Sequence, residues 1–218
     1  MKNKELNSDY LLSLYGDYLL ENRERPKSIY SFAKENKFEE KEFYQFFSSF
    51  DHLEKEILKH FFQKSLDLTI EIEGYEEMSA KERLLNLYFI FFENLTMNMS
   101  LVTMILEKRD LTMLQKMQKL KSEHQTFIKT LDFNDLEILE KAKESFKNFN
   151  SKSREEILWL HFLSIIEFWQ KDESPNFEKT DLYIEKTIDT GFQFIDHEPL
   201  KKFVDLGKFL WKETFQKI

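Results

Sequence analysis

Between Phe32 and Leu53 the apolar residues leave the chain few ways to fold. Ile29, Phe32 and Ala33 predict one short helix, and Phe43, Tyr44 and Phe47 predict the buried side of a second, with a tight turn between them. Leu53, Ile57, Leu58, Phe61 and Phe62 then recur at helical spacing, so a long helix leaves this pair. Little elsewhere breaks helices: 218 residues contain only 4 Gly and 3 Pro. The expected fold class is therefore all-α.

Two helices across a turn, followed by a connecting helix, form the front end of many DNA-binding proteins. The block resembles the DNA-binding domain of TetR-family transcriptional regulators. That family's pattern, roughly I-A-x-x-A-G-V-S-x-G-T-L-Y-x-x-F-x-S-K-E-x-L, lies on residues 32–53 without a gap. Phe32 and Ala33 take the Ile-Ala positions, Phe38 the Val, and Phe43 and Tyr44 the Leu-Tyr. Phe47, Ser49, Asp51 and Leu53 take the later Phe, Ser, Glu and Leu. The resemblance implies a TetR-like architecture: a helix-turn-helix domain over residues 1–48, then a helical regulatory and dimerisation domain over 49–218 that begins with a connecting helix at 49–73. It also implies a homodimer, and a regulator whose grip on DNA changes when a small apolar ligand binds.

The polar half of the pattern departs from the family. Lys37 stands at the turn glycine, where a positive φ strains any side chain. Glu39 replaces the Ser that opens the recognition helix, Glu40, Lys41 and Glu42 follow, and Phe50 stands where a Lys reaches phosphate. DNA affinity rests largely on Lys and Arg contacts to phosphate. Glu39, Glu40, Glu42 and Phe50 are therefore incompatible with tight DNA binding. Arg23, Arg25 and Lys27, with Lys41, remain as phosphate contacts; Gln45 is the residue able to read a base edge, and Tyr44, expected in the core, is the one whose hydroxyl the family turns toward the backbone. Two functions stay open: a ligand-responsive regulator, or a TetR-fold protein that has given up DNA and binds a lipid-like ligand or a protein partner.

Upstream, Ser8 or Asp9 is placed to cap a first helix over 8–21. Downstream, Ser79 and Glu82 spell a capping box ahead of a long apolar run. Helices at this place in the family line a ligand cavity, which makes Tyr88, Phe91, Phe92, Glu93, Met97, Met104 and His161 the pocket candidates. Amphipathic helices are expected over 110–130 and 135–149, with a second capping box at Ser153–Glu156. Helices over 154–171 and 177–196 occupy the place of the family's dimer helices. Trp159, Phe162, Ile166, Ile184, Ile188, Gly191, Phe192 and Ile195 are the interface candidates. A last helix is expected from Pro199 to Gln216.

Enzyme chemistry finds no support. The five histidines show neither Glu-x-x-His nor His-x3-His spacing, and no phosphate loop or nucleophile motif is spelled. No metal or cofactor is expected. There is no Cys, no apolar core near the N-terminus to serve as a signal, and the apolar run 84–106 carries Asn86, Glu93, Asn94 and Asn98. A cytoplasmic protein without a membrane span is expected. The net charge of −8 does not exclude a local basic patch.

Overall fold

Asn7 starts the first helix: its side chain accepts from the Tyr10 N–H at 2.9 Å, so the cap lies one residue before the expected Ser8 or Asp9. This is a computed structural model describing residues 6–106, 111–132 and 151–194. Ten α-helices run through them: α1 (Ser8–Asn22), α2 (Ile29–Glu35), α3 (Glu40–Phe43), α4 (Phe50–Ile70), α5 (Ala80–Met97), α6 (Met99–Ile105), α7 (Leu111–Lys116), α8 (Gln118–Thr130), α9 (Ser151–Trp169) and α10 (Glu178–Phe194). Single 3-10 turns lie at Tyr75–Glu77 and Pro175–Phe177, and no strand occurs among the described residues. The expected helix over 135–149 and the last helix lie outside the described residues.

Contacts gather the chain into two compact units, Met1–Phe61 with Asn98–Leu120, and Phe62–Met97 with Lys121–Ile218. The first is built on rings. Phe32 meets Tyr15 at 6.1 Å, Tyr18 at 5.9 Å, Phe38 at 5.8 Å and Phe50 at 5.7 Å. Each aromatic pair of this kind adds about 0.5–1.5 kcal/mol beyond burial. Gly16 lets α6 approach α1, since a Cβ there would meet Leu101 Cδ2 at 3.2 Å.

Lys37 takes φ +62°, the left-handed conformation that the sequence predicts for the turn. The turn is a Schellman cap: the Phe38 N–H donates to the Ala33 carbonyl at 3.1 Å and the Lys37 N–H to the Lys34 carbonyl at 3.4 Å. A β-carbon in this conformation costs about 1–2 kcal/mol.

In the second unit, Ser79 and Glu82 close the expected capping box; the Ser79 N–H reaches Glu82 Oε2 at 2.8 Å and the Glu82 N–H reaches Ser79 Oγ at 3.3 Å. The apolar run breaks at Asn98 into α5 and α6, and the 110–130 segment breaks at Met117 into α7 and α8. Ser153, expected at the start of a helix, falls inside α9, which begins at Ser151. Leu84, Leu87, Tyr88, Phe91, Phe92 and Leu95 of α5 are buried at helical spacing. No helix of the described residues is long and apolar enough to cross a membrane.

Candidate functional site

The helix-turn-helix presents a short, acid-capped reading element. α3 has four residues, and the Glu39 N–H is held by Glu42 Oε2 at 2.7 Å. Lys41 pairs with Glu39 at 2.6 Å, both exposed, and Tyr44 OH donates to Glu40 Oε1 at 3.3 Å. The base and the hydroxyl best placed for phosphate thus already have carboxylate partners. Gln45 is exposed.

Tyr44 corrects the sequence reading of the core. It is 52% exposed, while Phe43 and Phe47 are buried. The α-helix ends at Phe43, so the next residue swings out, and the Phe47 N–H returns to the Phe43 carbonyl at 2.9 Å to bring that ring back in. Phe50 is half-buried and packs on Tyr15 at 5.1 Å and Phe43 at 5.6 Å, so its ring joins the core and supplies no cation at that position.

Arg25 is not a free phosphate contact. Its Nη2 donates to Asp51 Oδ1 at 2.7 Å and to Glu54 Oε2 at 2.5 Å, and its Nε to Glu54 Oε1 at 2.7 Å. Glu54 is 1% exposed, and Tyr15 OH at 2.7 Å and Lys116 Nζ at 2.9 Å complete its partners. Burial raises the Tyr15 pKa well above its ordinary value, and the Glu54 carboxylate adds to the rise. Arg23 and Lys27 remain exposed, and Arg23 closes α1 in the left-handed conformation at φ +60°.

The second unit holds a cage of rings centred on Phe162. Tyr88 and Phe91 lie 5.1 Å from it, His124 4.8 Å, Trp159 5.6 Å and Phe92 5.7 Å. Tyr88 OH and His124 Nε2 are 2.8 Å apart, and both residues are fully buried. Half-buried His161 stacks on Tyr88 at 6.0 Å, and its Nε2 meets Thr187 Oγ1 at 2.7 Å. Burial lowers the His124 pKa to about 3, helped by His161, and lowers that of His161 to about 4. Both imidazoles are neutral near pH 7.

Of the pocket candidates, Tyr88, Phe91, Phe92 and His161 converge here. Glu93 and Met97 do not: both are exposed, Met97 at 69%, on the outer side of α5. Half-buried Met104 belongs to the other unit. The dimer candidates are corrected too. Trp159, Phe162, Ile166, Ile184 and Ile188 are buried within the chain itself and leave no surface for a partner. The described part of α10 ends before Ile195, and no side chain is described at Gly191 and Phe192.

Sequence reasoning missed four residues that matter: Glu54, Lys116, His124 and Glu155. His124 falls on one helical stripe with Leu120, Phe127 and Ile128, and Glu54 on one with Ile57 and Leu58, so spacing alone could have flagged both.

A model of the family described as tetracyclin repressor-like, C-terminal domain, matches residues 83–210. No curated protein matches the chain.

Proposed function

The chain belongs to the tetracycline repressor-like family, and we propose that it is a ligand-responsive transcriptional regulator that grips DNA weakly. The observation that carries this reading is the helix-turn-helix itself. α2 and α3 are closed by a Schellman turn at Lys37, although that turn has a strained residue where glycine is usual. Exposed Tyr44 and Gln45 stand on the outer side of that element, and exposed Arg23 and Lys27 follow α1. Glu39, Glu40 and Glu42 reduce its attraction for phosphate.

The ligand is a small apolar molecule taken by the aromatic cage around Phe162. Its binding shifts the population of head arrangements and so the DNA affinity. The protein acts as a homodimer. With the inner stripe of α9 and α10 occupied, the contact falls to their outer faces, where half-buried Phe168 and Tyr183 stack at 4.4 Å.

A second reading, a TetR-fold protein without DNA, is favoured by one observation. Both Lys41 and Arg25 are held by carboxylates, at 2.6 Å and at 2.5–2.7 Å. Selection of genomic fragments on the purified protein separates the readings. One enriched sequence supports the regulator. No retention even at ~50 mM salt, where phosphate contacts are strongest, leaves the second reading, and organic extraction then recovers a bound lipid-like ligand.

A further inference from the structure

Two buried side-chain atoms among the described residues have no hydrogen-bond partner, His124 Nδ1 and Glu155 Oε1. They belong to the same seam. Glu155 Oε2 lies 3.5 Å from Lys129 of α8, and neighbouring Glu156 binds Lys121 at 2.8 Å and Gln125 at 2.9 Å. One helical turn along α9, Trp159 packs on His124 at 5.5 Å. Glu155 and Trp159 are four residues apart on α9, about 6 Å of helix rise, so the two orphans lie on neighbouring turns of that seam. Native interiors leave few such atoms, and each calls for an explanation.

The tautomer follows from counting protons. Tyr88 OH faces His124 Nε2. If that nitrogen carried the proton, both the phenolic hydrogen and Nδ1 would lack partners. If Tyr88 donates to Nε2, the imidazole proton sits on Nδ1 and only one donor is left over. The seam therefore offers one neutral N–H donor and one carboxylate oxygen acceptor, with the Trp159 indole packed on the donor's ring.

We infer that the α8–α9 seam recognises an apolar, ring-bearing molecule through a neutral carbonyl oxygen at His124 Nδ1 and a hydroxyl or N–H group at Glu155 Oε1. This rests on the ligand-sensing part of the proposed function and names its ligand class. An anionic headgroup does not fit. The donor is an uncharged imidazole, and the other anchor is itself a carboxylate.

The test uses the full chain and 4-hydroxyacetophenone, which carries a neutral carbonyl and a hydroxyl at opposite ends of a ring. The comparison compounds are 4-ethylphenol, which lacks the carbonyl, 4-hydroxybenzoate, which is anionic, and 1,4-diethylbenzene, which lacks both polar groups. Titration calorimetry is expected to show 4-hydroxyacetophenone binding at least tenfold more tightly than 4-ethylphenol, with 4-hydroxybenzoate weaker still. His124→Phe abolishes the preference for the carbonyl, and Glu155→Leu abolishes the preference for the hydroxyl. In the wild-type protein, the His124 nitrogen resonances report an Nδ1–H tautomer that shifts on addition of 4-hydroxyacetophenone, a readout that needs no variant to fold. Equal binding of 4-hydroxyacetophenone, 4-ethylphenol and 1,4-diethylbenzene overturns the inference and leaves apolar sensing standing. Failure of all the compounds to bind overturns both.

Discussion

The two units treat a buried polar group in opposite ways. In the first, Glu54 is buried with every partner present: Tyr15, Arg25 and Lys116 converge on one carboxylate from α1, from the loop after it and from α7. In the second, His124 and Glu155 are buried with one atom each left unpaired. An unsatisfied buried group costs about 1–3 kcal/mol. The first pattern fixes one arrangement of its helices, and the second holds binding capacity in reserve. A satisfied network rigidifies, while an unsatisfied one is completed by whatever binds.

Breaking the Glu54 network gives the largest expected effect. Glu54→Ala leaves the largely buried Lys116 without its carboxylate and the Tyr15 hydroxyl without its acceptor, while Arg25 keeps Asp51. It should lower stability by about 3–5 kcal/mol, read from the urea unfolding midpoint; a midpoint within error of wild type would remove the network from the account.

The His124 imidazole gives the next effect. Its folded pKa of about 3 lies below the ordinary value near 6.5, so the unfolded chain binds the proton more readily. Its contribution is fully present above about pH 6.5 and is lost as pH falls toward 3, with a limiting slope of about 1.4 kcal/mol per pH unit. His124→Phe should flatten this part of the acid unfolding curve. An unchanged curve means that another group controls acid unfolding.

The acid-capped reading element is tested by replacing Glu39, Glu40 and Glu42 with Ser, Lys and Thr. Affinity for a mixed-sequence duplex should rise about tenfold, near 1.4 kcal/mol, with a steeper salt dependence in fluorescence anisotropy. If neither changes, α3 does not face DNA. The smallest effect is at the turn. Lys37→Gly relieves the positive φ at the cost of chain entropy and should raise stability by up to about 1 kcal/mol, seen as a small gain in Tm; a loss would mean that the Lys side chain holds the turn.

Most of the fold was legible because helical spacing and caps are local. Phe32, Phe43, Phe47 and Leu53 are buried where the pattern put them, and Lys37 carries the strain expected of it. Tyr44 was misread because spacing assumes that a helix continues, and α3 stops one residue earlier. Ile184 and Ile188 were assigned to a partner because an apolar stripe does not say which surface covers it; here the chain covers its own. The pairing of Glu54 with Lys116 joins residues 62 positions apart in sequence, and no local pattern carries such information.

The central claim, that this head still reads DNA through few phosphate contacts, is tested most directly by the salt dependence of binding to a selected genomic fragment. Arg23 and Lys27 from each subunit of a dimer predict a shallow slope of log K against log salt, about −3 to −5. Absence of binding at every salt concentration would contradict the claim and leave a TetR-fold protein that works without DNA.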